Sequence, residues 1–191
     1  MKRFLPALFI LTLSLDGMGG QATGSGAQVA SAKAAIKELA ASLQAELKNA
    51  MQAGGPVAAI GICNTQALPI TQKISAERGL SISRVSLKNR NPANLPVDWQ
   101  IAVLEDFERQ KAEGKEIGGI AWSESVNVDG EKEFRFMKAI PTGPVCLACH
   151  GTELSPEVSG VLADLYPQDR ARGYSTGDIR GAFVVTQKTS N

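Results

Sequence analysis

The sequence predicts an α+β domain in which an antiparallel sheet packs against helices. Apolar residues recur at helical spacing in the first half of the chain, and a strand–turn–strand pattern surrounds Asp129-Gly130 in the second half. No internal repeat is visible, and 43% of the 191 residues are hydrophobic, which suits one globular core. We therefore expect a single domain over residues 33–191.

Two helices are predicted first. From about Lys33 to Gln52 apolar side chains recur every three or four residues, and the pair Gly54-Gly55 ends this helix. Pro56 suits the first turn of a second helix, and Pro69 is expected to kink it. One apolar face of the second helix carries Val57, Ile60, Cys63, Ala67, Ile70 and Ile74.

The rest of the chain contains one clear hairpin. Ile117–Val128 and Glu131–Ile140 flank Asp129-Gly130, which is a favoured tight turn. Polar loops separate the other predicted elements. These are a weak strand at Ser81–Leu87, helices at Val97–Gly114 and Ser155–Tyr166, and a final strand at Ile179–Gln187.

The N-terminus has the pattern of a secretory signal peptide. A positively charged start is followed by the apolar run Phe4–Leu15 and then by small residues. We predict a signal peptide over residues 1–22, a flexible lead over residues 23–32, and a periplasmic location. The apolar run is too short for a permanent membrane span, and a single N-terminal anchor is the alternative.

Composition narrows the possible partners. The net charge is +1, from 20 basic and 19 acidic residues, so there is no case for binding nucleic acid. The chain has three cysteines and one histidine. An unpaired cysteine is unusual in an oxidising compartment, and this one requires an explanation.

The histidine directly follows a Cys-x-x-Cys sequence, in the run Cys146-Leu147-Ala148-Cys149-His150. This is the attachment sequence of c-type haem, in which both thiols bind the haem covalently and the histidine ligates its iron. Because the chain has one histidine, a second such haem and bis-histidine ligation are excluded. We expect one covalently bound haem c.

Two other chemistries use Cys-x-x-Cys. A redox-active disulfide of the thioredoxin type would need a strand before the motif and a long helix after it, whereas Pro144 precedes it and Gly151 follows. A zinc site completed by Cys63 is disfavoured, since Cys149 and His150 are adjacent and zinc ligands are usually further apart. Haem attachment is the better interpretation.

Four segments, taken together, identify a resemblance. They are Leu87–Pro96, Cys146–Gly151, Tyr166–Tyr174 and Gly177–Phe183. Over roughly residues 34–188 the chain resembles the family of periplasmic c-type haem domains with a PAS-like fold. The resemblance implies a PAS-like antiparallel sheet and the stand-alone form of a family that also occurs as the sensor part of signalling proteins. It also implies that a cysteine of the second helix, Cys63, is the distal haem ligand.

Chemistry gives Cys63 the same role but leaves alternatives. A soft thiolate binds iron well, and the metal lowers the pKa of the thiol. A free cysteine is also a common small core residue. Met51 and Met137 compete for the sixth iron position, because methionine opposite histidine is common in electron-transfer cytochromes c. An open sixth position is the last alternative.

The two haem propionates need cationic or amide partners. Arg90 and Arg180 are favoured because they lie within the resembling segments, and Tyr174 is a further candidate near the haem. The remaining candidates are Arg84, Lys88, Arg170 and Arg172.

These observations predict a periplasmic monohaem protein that is a redox or gas sensor component. Its partners would be a small gas ligand or a redox protein. The alternative is an electron-transfer cytochrome c with a methionine or an open sixth position. No enzymatic activity is expected, since the sequence offers no distal histidine and no nucleophile–base pair.

Overall fold

The structure is a computed structural model that describes residues 26–189. The predicted signal peptide, residues 1–22, lies outside the described residues. A four-stranded antiparallel sheet carries helices on both faces, which confirms the α+β class. Within residues 26–189 no helical stretch combines the length and apolar character that crossing a bilayer requires.

Helix α1 (Gly26–Arg78) is two helices joined at a break. Gly54 and Gly55 have non-helical backbone angles, and Gly55 has a φ of 65° that favours glycine. The predicted break between two helices is confirmed. Helical backbone angles continue through Pro69, so the helix does not break there, and the kink expected at that proline stays a prediction.

The predicted lead is wrong from residue 26 onward, because α1 already begins at Gly26. Its first turns are rich in alanine, the residue with the highest helix propensity. Ala32 and Ala35 are fully buried against the sheet. Burial of small side chains therefore extends the helix beyond the apolar pattern of larger residues.

The sheet has the order β1-β4-β3-β2, with all neighbours antiparallel. The strands are β1 (Ser81–Val85), β2 (Ala121–Val128), β3 (Glu131–Pro141) and β4 (Ile179–Thr189). The predicted β2–β3 hairpin is confirmed. Asp129 and Gly130 in its turn have φ values of 53° and 85°, as a primed two-residue turn requires.

Three further helices complete the domain: α2 (Asp98–Ala112), α3 (Leu147–His150) and α4 (Pro156–Leu165). Short 3-10 turns lie at Pro92–Asn94, Ile117–Gly119 and Pro144–Cys146. Ser155 caps α4 by accepting a hydrogen bond from the backbone N–H of Val158, and Pro156 fills the first turn. Both roles were predicted from the sequence.

Each face of the sheet has its own core. The face under α1 buries residues that include Ile36, Leu39, Phe134, Phe136 and Val185. The face under α2 buries a second set that includes Leu104, Phe107, Met137 and Val184. A third, smaller cluster joins the second half of α1 to α4 through Ile60, Val158, Leu162 and Tyr166.

The start of β4 generates a prediction about stability. Gly181 has a φ of 150°, and a Cβ there would lie 2.2 Å from the carbonyl oxygen of Val85. Gly181→Ala should therefore lower the free energy of unfolding by about 2–4 kcal/mol. Gly160→Ala in α4 is the control, since its Cβ would meet nothing and should add about 0.5–1 kcal/mol. Urea denaturation measures both, and equal effects would contradict the close approach.

Candidate functional site

The Cys-x-x-Cys-His run forms one turn of helix after β3. Pro144–Cys146 is a 3-10 turn that leads into α3, so Cys146 and Cys149 lie one helical turn apart. Both thiols are free and partly buried. The N–H of Gly151 binds the carbonyl of Leu147, and a Cβ at Gly151 would lie 2.6 Å from that oxygen. Only glycine ends the turn this tightly.

His150 is held on one side by the loop that follows α4. Its Nδ1 lies 2.8 Å from the carbonyl oxygen of Ala171. The N–H of Tyr174 binds the carbonyl of His150 at 3.0 Å, and the Tyr174 ring meets the imidazole edge to face at 6.3 Å. A carbonyl only accepts, so Nδ1 carries the proton and Nε2 keeps a free lone pair.

The imidazole is neutral at physiological pH. Burial, together with the nearby positive charges of Arg180 and Arg90, lowers the pKa of His150 to about 3. The hydrogen bond to Ala171 opposes this shift but does not reverse it. A neutral imidazole with one free nitrogen is the form that ligates a metal.

A buried ion pair connects the motif to this loop. The side chains of Arg90 and Asp169 are 11% and 1% exposed, and Nε of Arg90 lies 3.1 Å from the carboxylate. Arg90 also donates to the carbonyl oxygens of Cys149 and Ala171. Arg90 therefore joins the loop after β1 to α3 and to the segment that holds His150.

Asp169 accepts from three donors. They are Arg90, the backbone N–H of Ala171 at 2.9 Å, and Nε of Arg172 at 2.9 Å. Burial acts to raise the pKa of Asp169, but these hydrogen bonds outweigh it and lower the pKa. The predicted propionate role of Arg90 stays a prediction, and this carboxylate already balances the charge of Arg90.

Cys63 lies close enough to the motif for its charge to affect Cys149, and we call the space between them, on the α1 side of the sheet, the cleft. It lies one turn after Ile60, whose cluster also packs Cys149. The Cys63 side chain is exposed, so the alternative of a core cysteine is wrong. Burial nevertheless raises the pKa of Cys63, while the charges of Arg84 and Arg90 oppose the shift.

Met137 lies on the other side of the sheet. It is fully buried in the α2 core with Val103 and Phe107, whereas Cys63 belongs to α1 on the opposite face. The sheet thus separates Met137 from the cleft. Met51 is partly buried just before the Gly54-Gly55 break and stays a candidate.

Arg180 and Tyr174 lie together beside His150. The guanidinium of Arg180 donates to Ser86 Oγ at 3.2 Å and to the Lys88 carbonyl at 3.3 Å. It also stacks 5.1 Å from the centre of the buried Tyr174 ring. Burial lowers the pKa of Arg180, and no carboxylate of the described residues pairs with it.

Arg84 is a second arginine without a counterion. It pairs across strands with Phe183, a residue of the α1 core, so its side chain lies on the cleft side of the sheet. It has no side-chain hydrogen bond or ion pair with residues 26–189, and burial lowers its pKa. A buried cation of this kind is costly unless it is paired, so Arg84 is a candidate partner for an anionic group.

The remaining predicted cations are less central. Nζ of Lys88 lies over the Tyr174 ring at 5.0 Å, Arg172 binds Asp169, and Arg170 is exposed. Sequence reasoning missed Asp169 and Tyr166. Asp169 lies in the segment that carried the resemblance, but a single loop aspartate gives no signal of its own. Among residues 26–189 no three His, Cys, Asp or Glu side chains are placed to hold a metal ion together.

Two comparisons with known proteins give matches. Residues 21–187 match the model of the Tll0287-like family. Among solved structures, the crystal structure of the cyanobacterial heme-protein Tll0287 is similar, with a TM-score of 0.65 and 20% identity. The match covers 87% of this chain and 98% of that one, and at this identity it shows the fold alone. No curated protein matches this chain.

The two arginines on Asp169 provide a matched test. Arg90→Met leaves a buried carboxylate without its main partner and should lower the free energy of unfolding by about 3–5 kcal/mol. Arg172 is 41% exposed, so Arg172→Met should cost less than about 1 kcal/mol. Chemical denaturation at neutral pH measures both values. Similar losses in the two variants would contradict the central role of Arg90.

The same pair predicts a pH dependence. The pKa of Asp169 is lower in the folded state, so the stability that its carboxylate adds to the fold is fully present above the unfolded pKa of about 3.9. That stabilisation is lost as the pH falls through the lower folded pKa. The difference between wild type and Arg90→Met should therefore narrow below about pH 4. If the difference in unfolding free energy between wild type and Arg90→Met stays constant from pH 7 to pH 3, the ion pair with Asp169 is not its source.

Proposed function

Because the chain belongs to the Tll0287-like family, we propose that it is a periplasmic monohaem c-type protein and a component of a redox or gas sensor. The observation that carries this proposal is the geometry of Cys146-Leu147-Ala148-Cys149-His150. Two free thiols lie on one helical turn, beside a neutral imidazole whose Nε2 is free. The similar solved structure is a heme-protein by its title, which supports haem as the ligand.

The donor set of the site fits covalent haem. Each thiol would add across one vinyl group, with sulfur bonded to one carbon and hydrogen to the other, so that attachment needs no oxidant. His150 would ligate iron through Nε2, with Nδ1 fixed by Ala171. Haem supplies an iron that changes oxidation state and can take a small gas ligand.

Cys63 is the residue that we propose as the second protein ligand of a bound haem iron. It comes from a different element than His150 and faces the motif across the cleft, and its charge raises the pKa of Cys149. Burial raises the pKa of the Cys63 thiol, the charges of Arg84 and Arg90 oppose that shift, and bound iron would lower the pKa. Met51 or an open position is the alternative.

Arg180 and Arg84 are the proposed propionate partners. Both lie on the cleft side without a carboxylate from the described chain, and burial disfavours the charge of each. Two propionates would supply the missing negative charge. Tyr174 would orient Arg180 through its ring and hydroxyl.

The sensor role rests on the weakness of a thiolate bond in the reduced state. A haem held by Cys63 and His150 would link α1 to α3, and its iron would hold the anionic thiolate less strongly when reduced. We also propose that the sheet is PAS-like, since its first and last strands are neighbours and a helix covers the ligand side. The second candidate is an electron carrier with two fixed ligands. No catalytic role is proposed.

Attachment gives the first functional prediction. The exported protein should retain one haem per chain after acid–acetone extraction, because thioether bonds survive this treatment. The double variant Cys146→Ala, Cys149→Ala should lose covalent haem, whereas Cys63→Ala should keep it. Complete release of haem from wild type would contradict the c-type proposal.

Ligation gives the second functional prediction. Ferric wild type should show a low-spin thiolate signal by electron paramagnetic resonance and a low reduction potential, since an anionic ligand favours ferric iron. Cys63→Ser should remove the signal and raise the potential, and Cys63→Met should raise it further if sulfur reaches iron. Met51→Leu is the matched control and should change neither. If Cys63→Ser behaves as wild type, the electron-carrier reading becomes the better one.

A further inference from the structure

We propose that Asp169 is a positioning residue that fixes the carbonyl of Ala171 and thereby sets how strongly His150 donates to iron. This inference rests on the proposed function. Asp169 is not one of the proposed haem ligands, and its hydrogen bonds go to Arg90, Ala171 and Arg172. The argument follows three bonded steps from the carboxylate to the imidazole.

The first step is a turn closed by the carboxylate. Oδ1 of Asp169 accepts from the backbone N–H of Ala171 at 2.9 Å, two residues further along. This aspartate turn fixes the peptide before Ala171. The N–H of Arg172 binds the carbonyl of Arg170 at 3.0 Å, which fixes the peptide after Ala171. Both peptides that flank the residue are therefore held.

The second step anchors this turn to the rest of the domain. The N–H of Arg170 binds the carbonyl of Asn89 at 3.0 Å, and Arg90 pairs with Asp169. Ala171 is fully buried although the surrounding segment has no regular secondary structure. No helix or strand ladder orients its carbonyl, so the local backbone hydrogen bonds and the contacts of Asp169 orient it together.

The third step reaches the imidazole. The Ala171 carbonyl accepts from Nδ1 of His150 at 2.8 Å and from Arg90 at 3.4 Å. A short bond at Nδ1 makes the ring a stronger donor at Nε2, whereas the second donor on the same oxygen weakens that effect. Asp169 binds the N–H of Ala171 and pairs with Arg90, one of the two donors to this oxygen, and its loss should release the His150 hydrogen bond.

The test uses the single histidine of this chain. Protein labelled with ¹⁵N-histidine gives one imidazole signal, and the reduced carbon monoxide complex is diamagnetic. The exchange of the Nδ1 proton with solvent then reports the bond to Ala171 directly. Reduction potential and covalent haem content are measured on the same samples.

The variants are Asp169→Ala, Asp169→Asn and Asp178→Asn. Asparagine retains an oxygen that can accept from Ala171, whereas alanine does not, and both remove the same charge. Asp178 is the matched control because it caps the N–H of Ser175 at 2.7 Å and pairs with Lys111, in the same loop but away from Ala171.

Asp169→Ala should speed exchange of the Nδ1 proton by at least about tenfold, which corresponds to the loss of one hydrogen bond. It should also raise the reduction potential by more than Asp169→Asn does, with haem attachment unchanged. Asp178→Asn should match wild type in exchange and potential. If Asp169→Ala does not fold, Asp169→Asn tests the proposal. Its exchange rate should lie between that of wild type and that of a free imidazole.

Two results would overturn the inference. Wild-type exchange rates in Asp169→Ala, or in Asp169→Asn where the alanine variant does not fold, would show that Asp169 only stabilises the loop. Equal rises in potential in the two Asp169 variants would show that its charge acts directly and position does not. Absence of covalent haem from wild type would instead be the failure of the proposed function, and it would remove the inference with it.

Discussion

The buried ion pair between Arg90 and Asp169 is the constraint on which the site depends. One carboxylate, 1% exposed, is held by two arginines and a backbone N–H. Through Arg90 it reaches the carbonyl of Cys149, and through Ala171 it reaches the imidazole of His150. Three segments distant in sequence therefore meet at one charge. A buried pair of this kind costs desolvation energy, which its hydrogen bonds must offset. Its effect here is to fix the direction in which the motif presents its histidine.

The two cores, one on each face of the sheet, determine which side chains can reach the site. Large apolar residues fill the α1 face and the α2 face, and Met137 belongs to the latter. Beyond the break at Gly54-Gly55, α1 packs on α4 through the Ile60 cluster and returns to the α1-face core at Ile74. Cys63 follows Ile60 by one turn, so it lies near the motif but belongs to a different helix. A ligand held by both Cys63 and His150 would bridge α1 and α3, which is what a sensor of ligand state requires.

Local patterns in the sequence predicted much of this fold. The break at Gly54-Gly55, the Asp129-Gly130 hairpin and the Ser155 cap each depend on a few neighbouring residues, and the structure confirms all three. The start of α1 was missed because alanine burial leaves no pattern of large apolar residues. Asp169 and the unpaired state of Arg84 were not predictable, since both depend on which distant segments meet. The pairing of Arg90 with Asp169 was not predictable for the same reason, and the propionate role of Arg90 stays a prediction.

The central claim is that His150 and Cys63 face each other across one ligand site. X-ray absorption at the iron edge of the ferric wild-type protein tests it most directly, because it counts sulfur atoms bonded to iron. The account predicts one sulfur beside nitrogen ligands in the ferric state, and loss of that sulfur in the reduced state. A ferric spectrum with nitrogen and oxygen ligands alone would contradict it.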